Sequence, residues 1–149
     1  MPELFDSEGL ERDPPFFKTY NMKQQIKRLW VRALRSGQYK QGKGSLLNIN
    51  TQNGEECFCV LGVLTDLYQK VMEVGTWDRN NRLLDGETPF TVGTSSLDYI
   101  SLPIIVRDWA GLTRFNPVLV VEGKRVTVSQ LNDTGKNFDD LAKIIENSL

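Results

Sequence analysis

Along residues 21–36 the apolar positions Met22, Ile26, Leu29, Trp30, Ala33 and Leu34 recur at helical spacing, and Gly37 follows where a left-handed cap would end the helix. At roughly 100° per residue the apolar stripe centres near Ile26 and Ala33, which turns Arg28, Arg32 and Arg35 together to the opposite, outward side. The period then changes. Residues 46–50 alternate as a strand does, Asn53-Gly54 has the composition of a hairpin turn, and residues 55–58 can return as its partner. A second helix is expected over 59–74, with Val60, Leu64, Leu67, Tyr68 and Val71 making it apolar enough to be central.

Turn residues crowd the stretch 75–96, where only 82–84 and 90–92 look strand-like. Ser101 and Pro103 open a short helix that runs through Trp109 and stops at Gly111. Residues 118–121 and 125–128 form the clearest hairpin, joined at Gly123-Lys124. Asn137 caps a last helix with Asp140 three residues on, and Phe138, Leu141, Ile144 and Ile145 give it a buried face. Residues 1–20 mix acids with Pro14-Pro15 and Phe16-Phe17 and predict an extended arm whose aromatics latch onto the core or recruit a partner. The pattern predicts an α+β protein: a single compact domain over 21–149, with about four helices and short antiparallel strands or hairpins.

Composition supports one core. A chain of 149 residues, 40% hydrophobic and 25% charged, is an ordinary globular domain that buries about 70% of its unfolded surface. No apolar run approaches the roughly 20 residues a membrane span needs, and the acidic N-terminus lacks the order of a secretory signal, so a cytoplasmic location without membrane attachment is expected.

Charge changes the picture more. Residues 14–54 carry eight basic side chains and no acidic one, while the remaining 108 residues sum to minus nine. An anionic partner belongs on that basic segment. Its helix has no carboxylate to interleave with the arginines, whereas exposed helices ordinarily pair Glu and Lys at i,i+4. Arg28, Arg32 and Arg35 are therefore candidates for contact with phosphates or with the acidic face of a protein, although a solvated helix face is the simpler use of such a stripe.

The loop 37–45 comes next and nearly spells a phosphate loop. Gly44 stands between Lys43 and Ser45, and the loop leaves a helix instead of entering one, so nucleotide hydrolysis is not expected. The ingredients for holding an anion without hydrolysing it remain. Gly37, Gly42 and Gly44 allow close approach of backbone N–H groups, Lys40 and Lys43 supply charge, Arg35 stands beside the loop, and Tyr39 or Trp77 could stack on a base. A flexible solvated loop is the competing reading.

Other chemistries fail on residue type. The chain has no histidine, which removes Cys-His pairs and histidine triads. Cys57 and Cys59 are too close for an unstrained disulfide and one residue short of the redox spacing, and they lack the further ligands zinc needs; no catalytic residue, metal or cofactor is expected. Cys59 at a helix start would have a lowered thiol pKa by the dipole, yet suits a small core residue. Residues 126–149 could bend into two helices about the turn at Asp133, but Asp133, Asp139, Asp140 and Glu146 against Lys136 and Lys143 would repel a phosphate backbone, so nucleic acid is a poor partner. Those aspartates serve more simply as turns and helix-dipole partners.

The run WVRALRSGQYKQGKGSL from Trp30 to Leu46, then Cys59, Leu61, Gly62, Val63 and Leu64 with Asp66, then Trp77, then Leu102-Pro103 with Val106 and Trp109, and finally Leu131-Asn132-Asp133 ahead of Phe138, Ala142 and Ile145, resemble a family of small, largely uncharacterised proteins of tailed phages and prophages. The likeness covers the chain from about Lys23 onward. It departs at Val60, where relatives often carry a second cysteine, which counts against a paired-thiol role. The resemblance brings no catalytic assignment; it implies accessory work against host defence. On that basis the expected protein is a non-enzymatic binder that sequesters a phosphate-bearing small ligand, such as a cyclic nucleotide or an ADP-ribose-type signal, in the 37–45 loop. The alternatives are an inhibitor docking on a host defence protein through Arg28, Arg32 and Arg35, or a nucleic-acid binder. A homo-oligomer is compatible with any of these.

Overall fold

The computed structural model describes residues 22–93 and 97–149. The expected arm over 1–20, with Phe16 and Phe17, lies outside them. Among the described residues five helices and three small sheets surround one apolar core.

Helix α1 (Gln24–Arg35) buries Ile26, Trp30, Val31 and Leu34, and its indole N–H donates to the Val60 carbonyl at 3.0 Å. The buried stripe is rotated from the expected one: Ala33 is only half-buried, and Lys27 is buried with it. The reason is α5 (Phe138–Ser148), which packs along α1 and, with Leu149 as its cap, presents the main-chain oxygens of Glu146 and Leu149, each accepting from Lys27 Nζ at 3.1 Å. One of the eight cations thus serves the negative end of a helix inside the molecule.

Helix α2 (Val60–Met72) is central, as its composition predicts, with Val60, Leu61, Val63, Leu64, Thr65, Asp66 and Tyr68 all buried. Its entry is capped by Cys59, whose sulfur accepts from the Gly62 N–H at 3.4 Å. Short helices α3 (Ile104–Ala110), started by Pro103 and stopped by Gly111, and α4 (Val128–Asp133) close the layer.

The sheets differ from expectation in detail. Strands β1 (Lys40–Gln41), β2 (Leu47–Ile49), β3 (Glu56–Phe58) and β5 (Glu87–Thr88) form one sheet in the order β1-β3-β2-β5. The β2–β3 hairpin turns through Asn53-Gly54, as predicted, but β1 was expected to be loop and instead runs parallel to β3. The segment 82–84 is not a strand. Leu83 and Leu84 are exposed beyond a 3-10 turn at Arg79–Asn81, and the pairing falls to β4 (Thr76–Trp77), β6 (Phe90–Thr91) and β7 (Leu97–Asp98). Strands β8 (Val118–Val121) and β9 (Lys124–Thr127) form the last hairpin, with the turn at Glu122-Gly123, both at positive φ, one residue earlier than expected. Val128, expected to end that strand, starts α4 instead, because the Thr127 side chain accepts the Gln130 N–H at 3.2 Å and caps a helix.

Candidate functional site

The glycine loop uses its donors internally. Gly42 N–H donates to the Phe58 carbonyl at 2.8 Å, and a Cβ there would stand 2.9 Å from that of Cys57, so glycine at this place serves the close approach of β1 to β3. Gly44 N–H, in a left-handed conformation, donates to Asp133 Oδ1 at 3.1 Å. The chain's own carboxylate therefore takes a place offered to an anion. Fully buried Asn132 organises this meeting: its Oδ1 accepts from Gln41 Nε2 (2.9 Å) and Val60 N–H (3.2 Å), while its Nδ2 donates to the Gly42 carbonyl (2.9 Å) and Asp133 Oδ1 (3.0 Å). Gly37 is exposed at positive φ and ends α1.

Lys40 and Tyr39 of the loop are also engaged. Lys40 pairs with Glu55 at 2.7 Å, a contact that raises its pKa, and Lys43 is left exposed. Tyr39 sits edge-on to Phe58 with ring centroids 5.1 Å apart, donates its hydroxyl to Asp66 Oδ2 at 2.6 Å and accepts from Lys70 Nζ at 3.1 Å. Trp77, expected to stack on a ligand, is core: it is buried between Phe58 and Phe90 and its N–H donates to Asp66 Oδ1 at 2.9 Å. Asp66, inside the apolar helix α2, is thus the acceptor around which Tyr39, Lys70 and Trp77 assemble. Neither Asp66 nor Asn132 stood out by charge or spacing; the signal was a polar residue inside an otherwise buried face.

Burial raises the Tyr39 phenol to about 12, with the Asp66 hydrogen bond adding in the same direction. Above pH ~10 an unfolded tyrosine releases its proton while folded Tyr39 retains it, so this contribution to stability is complete below pH ~10 and is lost as pH rises through about 12. Ultraviolet titration should show a late phenolate step near pH 12 that Tyr39→Phe abolishes. Cys59 corrects another expectation. Desolvation outweighs the helix start and the Gly62 N–H and lifts its thiol to about 11, so it is an inert core residue. Among the described residues no three Cys, Asp or Glu side chains converge as a metal site.

The arginines make a different kind of place. Arg28, Arg32 and Arg35 line an open cleft of about 460 Å³ together with Val31, Ser36 and Glu146. Arg35 pairs with Glu146 across to α5 at 3.2 Å, so the carboxylate missing from α1 itself comes from a neighbouring helix. Arg28 and Arg32 are exposed and make no ion pair with a described residue. Arg35 faces Glu146 while the loop donors face Asp133, so the set of Arg35, Tyr39, Lys40, Lys43 and Trp77 is not gathered around one cavity.

These features define an α+β domain with an internally satisfied polar hub and an open arginine cleft. The chain belongs to the family described as Domain of unknown function (DUF8296), which matches residues 22–149. No curated protein and no solved structure matches it. Among the described residues no helix is long and apolar enough to cross a membrane.

Proposed function

We propose that this protein is a non-enzymatic binder that docks an acidic segment of a partner protein in the cleft of Arg28, Arg32 and Arg35. The observation that carries the reading is the pair of exposed arginines, Arg28 and Arg32, without a described counter-ion beside an apolar floor at Val31. Arg28 and Arg35 are seven positions apart, about 10 Å along a helix, which suits carboxylates spread along a segment better than one phosphate group. The resemblance to phage and prophage proteins supports a host defence protein in the host cytoplasm as the partner class, with this chain as its inhibitor. A cyclic nucleotide or ADP-ribose-type ligand in the 37–45 loop has less support, since Asp133, Phe58 and Glu55 already occupy donors it would need.

Reversing Arg28 and Arg32 to Glu should weaken binding to an acidic peptide or partner by about tenfold or more, and raising salt should weaken the wild type in the same direction. Urea unfolding should be unchanged within about 0.5 kcal/mol, since both positions are exposed. Binding indifferent to both reversal and salt would end this reading. Calorimetry with the nucleotides in parallel separates the alternative: heat that Lys40→Ala with Lys43→Ala removes would return the site to the loop.

A further inference from the structure

A second and more enclosed cleft, of about 570 Å³, lies at the C-terminal end of α5. Three segments build it. The outer face of the β8–β9 hairpin contributes Val118, Val120 and Arg125, with Arg125 directly opposite Val120 in the pairing. The turn after α3 contributes Leu112, Thr113, Arg114 and Pro117, and α5 closes it with Asn147 and Ser148. The lining contains two guanidinium groups, hydroxyl and amide donors and an apolar floor, and no acidic residue.

Neither Arg114 nor Arg125 makes a hydrogen bond or ion pair with a described residue. Their neighbour Arg107 shows the contrast, since it pairs with Asp108 at 3.0 Å and lies over the Phe115 ring at 4.5 Å. The C-terminal end of a helix would ordinarily oppose an anion here, but Lys27 Nζ already holds the main-chain oxygens of Glu146 and Leu149 and offsets that negative end. Val120, 58% exposed opposite an arginine, leaves apolar surface uncovered beside the charge. The volume lies within the range of small-molecule sites, roughly 300–1,000 Å³.

We propose that this cleft is a second, separate binding site for a small organic oxyanion with an apolar body. Arg114 and Arg125 hold the oxyanion through their forked N–H donors, and Val118 and Val120 cover the body. Titrations of the full chain followed by amide NMR test it with phenyl phosphate, benzoate and inorganic phosphate as probes. At least one aryl anion should shift Thr113, Val120 and Ser148 and bind about tenfold more tightly than inorganic phosphate, because only it uses the floor. Whichever aryl anion binds identifies the oxyanion as phosphate or carboxylate. Arg114→Gln and Arg125→Gln should each weaken that binding about tenfold, while Arg28→Gln with Arg32→Gln leaves it unchanged. The proposal falls if neither aryl anion shifts these amides, if inorganic phosphate binds equally well, if the two cleft variants bind like wild type, or if the α1 variant abolishes the binding.

Discussion

Replacing Gly62 with alanine should destabilise the protein by about 3 kcal/mol or more, although helix propensity alone favours alanine by about 1 kcal/mol. Gly62 lies in the first turn of α2, against the chain entering β2. A Cβ there would stand 1.8 Å from the Leu46 carbonyl oxygen and 2.7 Å from its carbon. That carbonyl cannot simply withdraw. It accepts the Cys59 N–H at 3.2 Å, the Leu46 N–H donates to Tyr99 at 2.7 Å, and the Leu46 side chain is fully buried. The methyl group therefore separates α2 from the sheet it rests on. Urea unfolding followed by circular dichroism measures the loss. A Gly62→Ala protein as stable as wild type would mean that α2 does not rest on the Leu46 main chain.

Asn132→Ala should cost about 3–5 kcal/mol. The substitution removes four hydrogen bonds and leaves the first N–H of α2, at Val60, and the Gly42 carbonyl without their partner, in a place where water does not reach the amide. Each stranded group costs about 1–3 kcal/mol. Asn132→Asp keeps the acceptor for Val60 but loses the donor to Gly42 and sets a carboxylate beside Asp133, so it should not rescue stability. Amide hydrogen exchange at Val60 and Gly44 gives a local reading: both should exchange faster in Asn132→Ala even after correction for global stability. Unchanged protection at both would mean that Asn132 does not organise the loop.

These two positions also show where legibility in the sequence ended. Gly62 and Asn132 appeared only as members of landmark runs, Cys59–Leu64 for one and Leu131-Asn132-Asp133 for the other. What makes them consequential is a neighbour brought in from elsewhere: Leu46 for one, and Gln41, Gly42 and Val60 for the other. The same holds for the loop residues. Tyr39 meets Asp66 across 27 positions and Gly44 meets Asp133 across 89, separations at which local spacing carries no information. Of the two-residue strands between 75 and 98, β6 falls within the expected 90–92, while β4 and β7 were missed for a related reason, since each exists through its pairing and has too few residues to show a period.

The outward direction of Arg28, Arg32 and Arg35 was legible because helix geometry alone sets it, and so were the central helix α2, the two hairpins and the α+β class. Periodicity and turn residues act between near neighbours, and the amino-acid sequence by itself determines them. The tertiary structure alone decided how the basic segment is divided. Lys27 was drawn inward to a helix end, Lys40 was neutralised by Glu55, the glycine donors went to Phe58 and Asp133, and two arginines were left facing solvent. That division follows from which carbonyls and carboxylates the packed chain brings within hydrogen-bonding distance, a matter of through-space contact that no local pattern encodes.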